Sequence, residues 1–212
     1  MEESTPFVVT ISRQLGSGGS YIGQSIAKQL GIFYADREII RQTAQKLSMN
    51  EHNVELRDES LLSFWNSFFH IESYSTEVHV PPEMNFPFDN ELFEAESEII
   101  KHIANERPSV IIGRCGFHIL RKRPNCINIF LYADTDFRIK RISKTFNVTE
   151  TDATKMILRS DKDRAAYCKT FTEKKWSNTQ NYDLSIDTSK IGVENTIDLI
   201  LKYIKLKEPH IK

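Results

Sequence analysis

Cysteine is scarce in this chain, and its placement excludes two classes of architecture. Cys115, Cys126 and Cys168 are an odd number without C-x-x-C spacing, so neither a disulfide framework nor a zinc site is indicated. Reduced thiols in a cytoplasmic protein are the simplest expectation. Long apolar runs are missing as well: no stretch of about 18 apolar residues is present to span a bilayer, and the start Met1-Glu2-Glu3-Ser4 is acidic rather than signal-like. Positive charge is not in excess. A formal net charge of -1 gives no support for a nucleic-acid polymer as partner, because affinity for the phosphate backbone needs a cationic surface. The six histidines are scattered without metal-ligand spacing. What remains is a soluble protein with a small-molecule partner and no membrane.

Glycine is also sparse, with eight in 212 residues, yet three of them, Gly16, Gly18 and Gly19, fall within four positions. The stretch Ile11 to Gly23 reads I-S-R-Q-L-G-S-G-G-S-Y-I-G. Before it, Phe7 to Ile11 is a short β-branched run suited to a buried parallel strand. After it, Ile22, Ile26, Ala27 and Leu30 recur at helical spacing. Strand, glycine loop and helix are the order of a phosphate cradle, in which backbone N–H groups and the positive end of the helix hold the anion. The P-loop pattern G-x-x-x-x-G-K-[ST] uses its lysine on the transferred group and its hydroxyl on magnesium. Here Gly18-Gly19-Ser20 fills the G-K-[ST] slot, so Gly19 stands where the lysine belongs and Arg13 replaces the opening glycine.

Alternation continues down the chain. Ile32 to Ala35 predicts a second strand ending at Asp36, followed by a helix from Arg37 to Leu47. Further on, a helix from Glu91 to Asn105 precedes a strand at Val110 to Ile112. Ile127 to Tyr132 reads as strand with Thr135 to Phe146 helical behind it. Asp183 to Ile186 and Val193 to Leu206 close the chain as strand and helix. Such alternation implies parallel strands with right-handed crossovers and a ligand site at the carboxyl ends of the strands. Length and a 40% hydrophobic content suit one domain with a single core, 7–50 plus 91–206. Two segments interrupt the rhythm: an aromatic-rich stretch at 51–90, suited to acceptor binding or to a homodimer contact, and a basic stretch at 150–177, suited to a lid.

The basic stretch carries Arg159, Lys162 and Arg164 with Asp161 and Asp163 between them. Alone it reads as a solvated, ion-paired helix face. Beside a phosphate loop it gains function, since phosphoryl transfer rests on cationic clamping and positioning. Arg114, at the carboxyl end of the third strand, has the fork that suits a phosphate.

The patterns I-S-R-x-x-G-S-G-G-x-x-I-G, F-Y-A-D-R-E-I-I, I-I-G-R-C-G and D-K-D-R-A-A-Y together resemble the cytidylate kinase-like family, a branch of the P-loop nucleoside monophosphate kinases, from Phe7 to about Lys205. The resemblance implies a three-layer α/β/α fold with a five-stranded parallel sheet. It also implies ATP with magnesium as donor and a nucleoside monophosphate such as CMP or dCMP as acceptor. It assigns Gly16, Ser17, Gly18, Gly19 and Ser20 to the triphosphate cradle, with Ser20 supplying the magnesium hydroxyl; Arg13 and Tyr21, on either side of them, are further cofactor-binding candidates. Asp36, Arg41 and Arg114 fall to the acceptor, and Arg159, Lys162, Asp163 and Arg164 to the lid. Three positions depart from the family pattern: Gly19 for the lysine, Ile112 for an acidic residue, and Cys115 for an aspartate. Arg13 is the candidate substitute for the lysine, either folded over the phosphates or paired with a carboxylate such as Asp36. The alternatives to a nucleotide kinase are a nucleotide-holding sensor with little turnover and a kinase of a non-nucleotide metabolite.

Overall fold

The computed structural model describes residues 5–36 and 90–207. The helix expected at 37–47, the aromatic stretch at 51–89 and Arg41 lie outside them. Among the described residues five strands run in parallel: β1 (Val8–Arg13), β2 (Phe33–Ala35), β3 (Ser109–Ile112), β4 (Cys126–Tyr132) and β5 (Leu184–Asp187), in the order β2-β3-β1-β4-β5. Helices α1 (Gly19–Leu30), α2 (Asn90–Glu106), α3 (Gly116–Ile119), α4 (Thr135–Phe146), α5 (Glu150–Thr172), α6 (Thr188–Ile191) and α7 (Val193–Lys207) connect and flank them.

The strand period of two sorts β1 between two cores. Val9 and Ile11 join Val110, Ile112, Ile127, Ile129 and Leu131 under the apolar stripes of α1 and α7, which supply Ile22, Ile26, Ile197, Ile200 and Ile204. Val8 joins Ile111, Cys126 and Ala35 under Ile99, Ile100 and Ile103 of α2. The sheet is therefore covered on both faces, in the three layers expected. The central strands are predominantly apolar because a parallel sheet has no solvated face.

Strand β1 extends two residues further than its apolar run. Its neighbour β4 is long, and the register continues through Ser12 opposite Phe130 to Arg13 opposite Leu131. Arg13 is thus the last residue of a central strand rather than the first of a loop, on the same face as Val9 and Ile11, and that face looks toward α1. The order of strands places the site. From β1 the chain crosses toward β2, whereas from β3 it crosses back over β1 to β4, so the topological switch lies between the carboxyl ends of β1 and β3. The glycine loop follows one of these strands and Gly113-Arg114 the other.

Candidate active site

The loop from Gln14 to Gly18 is held from three sides. The Gln14 N–H donates to the Leu131 carbonyl at 2.9 Å, and the Ser17 hydroxyl to the Gln14 carbonyl at 2.9 Å. The buried Thr188 hydroxyl lies 2.9 Å from the Ser17 carbonyl and 3.2 Å from that of Tyr132, tying the loop to α6 and β4. Gly16 and Gly18 take positive φ of 86° and 83°, and a Cβ on Gly16 would lie 2.9 Å from the Cβ of Arg138. These turns are open only to glycine. No side chain caps α1, so the N–H groups of its first turn, which starts at Gly19 and Ser20, have no intrahelical partners. Ser20 is exposed there, and the Tyr21 hydroxyl reaches Glu194 at 3.4 Å on the outer side of the helix. The hollow fits phosphate groups.

Arg13 explains the missing lysine. A Cβ on Gly19 would sit 2.6 Å from both Cβ and Cγ of Arg13, so the arginine stem occupies the space into which a side chain at position 19 would start. Beyond the stem the guanidinium reaches Gly113, whose added Cβ would run into Nη1 and lie 3.5 Å from Cζ. Arg13 is wedged between two glycines, one from each strand end at the switch point. Burial lowers its pKa and the charge of Arg114 lowers it further, while Tyr34 and Asp36 act in the opposite direction. Its Nε is buried without a hydrogen-bond partner among the described residues. Asp36 is thus near Arg13, as one of the two sequence readings requires, but the dominant influence on the guanidinium is loss of water.

Helix α5, the basic stretch, presents different residues to the loop than spacing suggests. Arg159, Lys162 and Asp163 are exposed, and no contact of Lys162 or Asp163 with the loop is present among the described residues. Asp161 faces inward. One of its oxygens accepts the Leu15 N–H at 3.0 Å, and the other meets the guanidinium of buried Arg138 at 2.5 Å. Arg164 completes the contact, donating to the Arg13 carbonyl at 3.2 Å and lying 3.6 Å from Asp161. Asp161 and Arg138 were not singled out as site residues from sequence. The signal for Asp161 was its i, i+3 relation to Arg164, which fixes a shared face; for Arg138, on α4, sequence offers none.

In the turn after β3, Gly113, Arg114 and Cys115 have consecutive positive φ of 79°, 47° and 54°. Arg114 is ion-paired with Glu96 of α2 at 3.2 Å, and its guanidinium carbon lies 5.1 Å from the Tyr167 ring centroid. Cys115 is buried among Phe117, Phe130, Cys168 and Trp176. The neighbouring Cys168 thiol together with burial pushes the Cys115 thiol up, while the same pairing brings Cys168 down to about 7. No group of three metal-ligating side chains is found among the described residues.

A parallel β2-β3-β1-β4-β5 sheet covered on both faces, with a glycine loop and an arginine turn at its switch point, defines the P-loop kinase fold. The model of the cytidylate kinase-like family matches residues 8–190, and the chain belongs to that family. Among curated relatives, a cytidylate kinase of Thermosipho melanesiensis is 26% identical over 95% of this chain and 98% of its own. One of Saccharolobus islandicus is 24% identical over 94% and 91%. An S-adenosylmethionine-dependent nucleotide dehydratase of Lacinutrix mariniflava is 23% identical over 92% of this chain, which spans only 35% of that relative. Of solved structures, an uncharacterized protein from Eubacterium ventriosum superposes with a TM-score of 0.71 at 25% identity, covering 94% of this chain and 99% of that one. A gluconokinase from Sinorhizobium meliloti, at 12% identity and a TM-score of 0.53 over 98% and 97%, shares the fold. No described helix is long and apolar enough to cross a membrane.

Proposed function

We propose that the chain catalyses ATP-dependent phosphoryl transfer to a small acceptor, a nucleoside monophosphate such as CMP or dCMP in the first instance. The observation that carries this reading is the lodging of Arg13 between Gly19 and Gly113: a cation with an unpartnered Nε stands between the phosphate loop and the acceptor arginine. Family membership and the relatives named cytidylate kinase support it.

The first-turn N–H groups of α1 and the loop N–H groups would hold the triphosphate, with the Ser20 hydroxyl on magnesium. Bound there, the magnesium nucleotide supplies the phosphoryl group. Arg13, in this reading, takes the charge-stabilising role of the absent lysine from the strand end instead of the helix, facing both donor and acceptor. Loss of such a cation from a phosphoryl-transfer site is worth about 10³ to 10⁵ in rate. Asp161 and Arg138 keep the loop in shape, and Arg164 braces the Arg13 backbone. Asp36 and Arg114 serve the acceptor.

One observation favours a different acceptor. Ile112 and Cys115 replace acidic residues of the family pattern, and both are buried, the thiol turned to Cys168 rather than to the crevice. The base of a cytidine nucleotide then lacks those carboxylates, so a non-cytidine or non-nucleotide acceptor is the second reading. Incubation of the purified chain with ATP, magnesium and a panel of nucleoside monophosphates separates them. Diphosphate formation with CMP or dCMP supports the first. Saturable ATP binding with no product from any nucleotide contradicts it.

A further inference from the structure

Glu96 is a carboxylate at 1% exposure on a helix that otherwise buries isoleucines against the sheet. A charge so placed is tolerated when it is paired. Its two oxygens have separate partners: one lies 3.2 Å from Nη2 of Arg114, and the other accepts the Tyr167 hydroxyl at 2.7 Å. Tyr167 returns to Arg114 through its ring, 5.1 Å below the guanidinium carbon. Three side chains from α2, α5 and the turn after β3 therefore form a closed circuit around one arginine.

Two further features give the circuit a purpose. The Arg114 backbone sits in the left-handed region at φ 47°, which is unfavourable for a residue with a side chain and persists when its surroundings over-determine it. Among the described residues its buried Nε has no hydrogen-bond partner, so the arginine is gripped by Glu96 while this donor is not committed to any of them. The helix bearing Tyr167 also bears Asp161 and Arg164, the residues bonded to Leu15 and Arg13. Six residues of helix separate Asp161 from Tyr167, about 9 Å at 1.5 Å per residue.

We propose that Glu96 and Tyr167 are positioning residues that hold Arg114 in register with the glycine loop, with α5 as the rigid spacer between acceptor arginine and donor cradle. The proposal rests on the phosphotransfer reading above. Simple packing would be served as well by phenylalanine and glutamine at these positions. Those substitutions keep shape and remove, respectively, one hydroxyl and one charge. Burial and the adjacent Glu96 raise the Tyr167 pKa, which keeps the phenol a donor.

Tyr167→Phe and Glu96→Gln are to be made in the full chain and assayed in two ways. In turnover, the expected result for each is an acceptor KM raised about tenfold with kcat changed less than about threefold, the loss of one hydrogen bond to a charged group. Without turnover, phenylglyoxal modification of Arg114, followed by peptide mass spectrometry, should run several-fold faster in both variants than in the wild type, at a melting temperature close to its own. Unchanged labelling, or unchanged acceptor KM alongside a lowered melting temperature, would overturn the proposal and leave the circuit a packing device. A wild type that phosphorylates no acceptor defeats the functional reading, whereas the labelling rates still decide whether Arg114 is held.

Discussion

The stem of Arg13 stands 2.6 Å from the point where a side chain on Gly19 would begin. Position 13 and position 19 thus compete for one volume, and the chain places its cation on the strand. The two departures from the P-loop pattern, an arginine at its first glycine and a glycine at its lysine, are one exchange rather than two losses.

Restoring the lysine alone should therefore fail. Gly19→Lys drives a side chain into Arg13 and is expected to destabilise the fold by about 1 to 3 kcal/mol, the usual cost of overpacking. Arg13→Gly with Gly19→Lys regenerates the pattern G-Q-L-G-S-G-K-S and should recover both stability and phosphoryl transfer relative to either single change. Denaturant midpoints and diphosphate formation for the three variants are the check. Additive losses in the double variant would show that the residues do not share the space.

Asp161→Asn should loosen the loop. It leaves the buried Arg138 guanidinium without its counter-charge, and removing one partner of a buried pair costs about 3 to 5 kcal/mol. Partial exposure of Asp161 puts the expected loss at the low end of that range. Urea unfolding measures it, and a change below about 0.5 kcal/mol, the scale of an ordinary surface substitution, would contradict the anchoring role.

Much of this was legible in the sequence, for identifiable reasons. The strands appeared because a sheet covered on both faces demands continuous apolar runs, as at Val110 to Ile112. The loop appeared because glycines crowd where backbone must approach an anion. What was not legible depends on contacts between distant segments. Arg13 was read as a loop residue because only its pairing with Leu131 makes it strand. Along 159–164 the exposed Lys162 and Asp163 are charged side chains just as the inward Asp161 is, and only Leu15 and Arg138 show which side faces the loop. Glu96, in a helix rich in acidic residues, carries no mark of burial.

The thiol pair was missed for the same reason: Cys115 and Cys168 are 53 positions apart and have no sequence spacing to betray them. Their pairing predicts a pH signature. The ordinary thiol value of 9.0 is lowered to about 7 at Cys168, so this side chain is protonated below neutrality and ionised above it, while Cys115 and Cys126 are pushed upward and remain thiols. Thiolate absorbance near 240 nm, which follows ionisation, should rise by one equivalent around neutral pH and lose that step in Cys168→Ser. A first step near pH 9 would contradict the pairing.

The role of Arg13 is tested most directly by the rate of Arg13→Ala, measured as diphosphate formation from ATP and whichever acceptor the wild type uses. A fall in kcat of about 10³ or more, with the fold intact by melting temperature, is the result predicted for a cation that replaces the P-loop lysine. A kcat equal to that of the wild type would remove Arg13 from the chemistry and return Gly19 to being a simple loss.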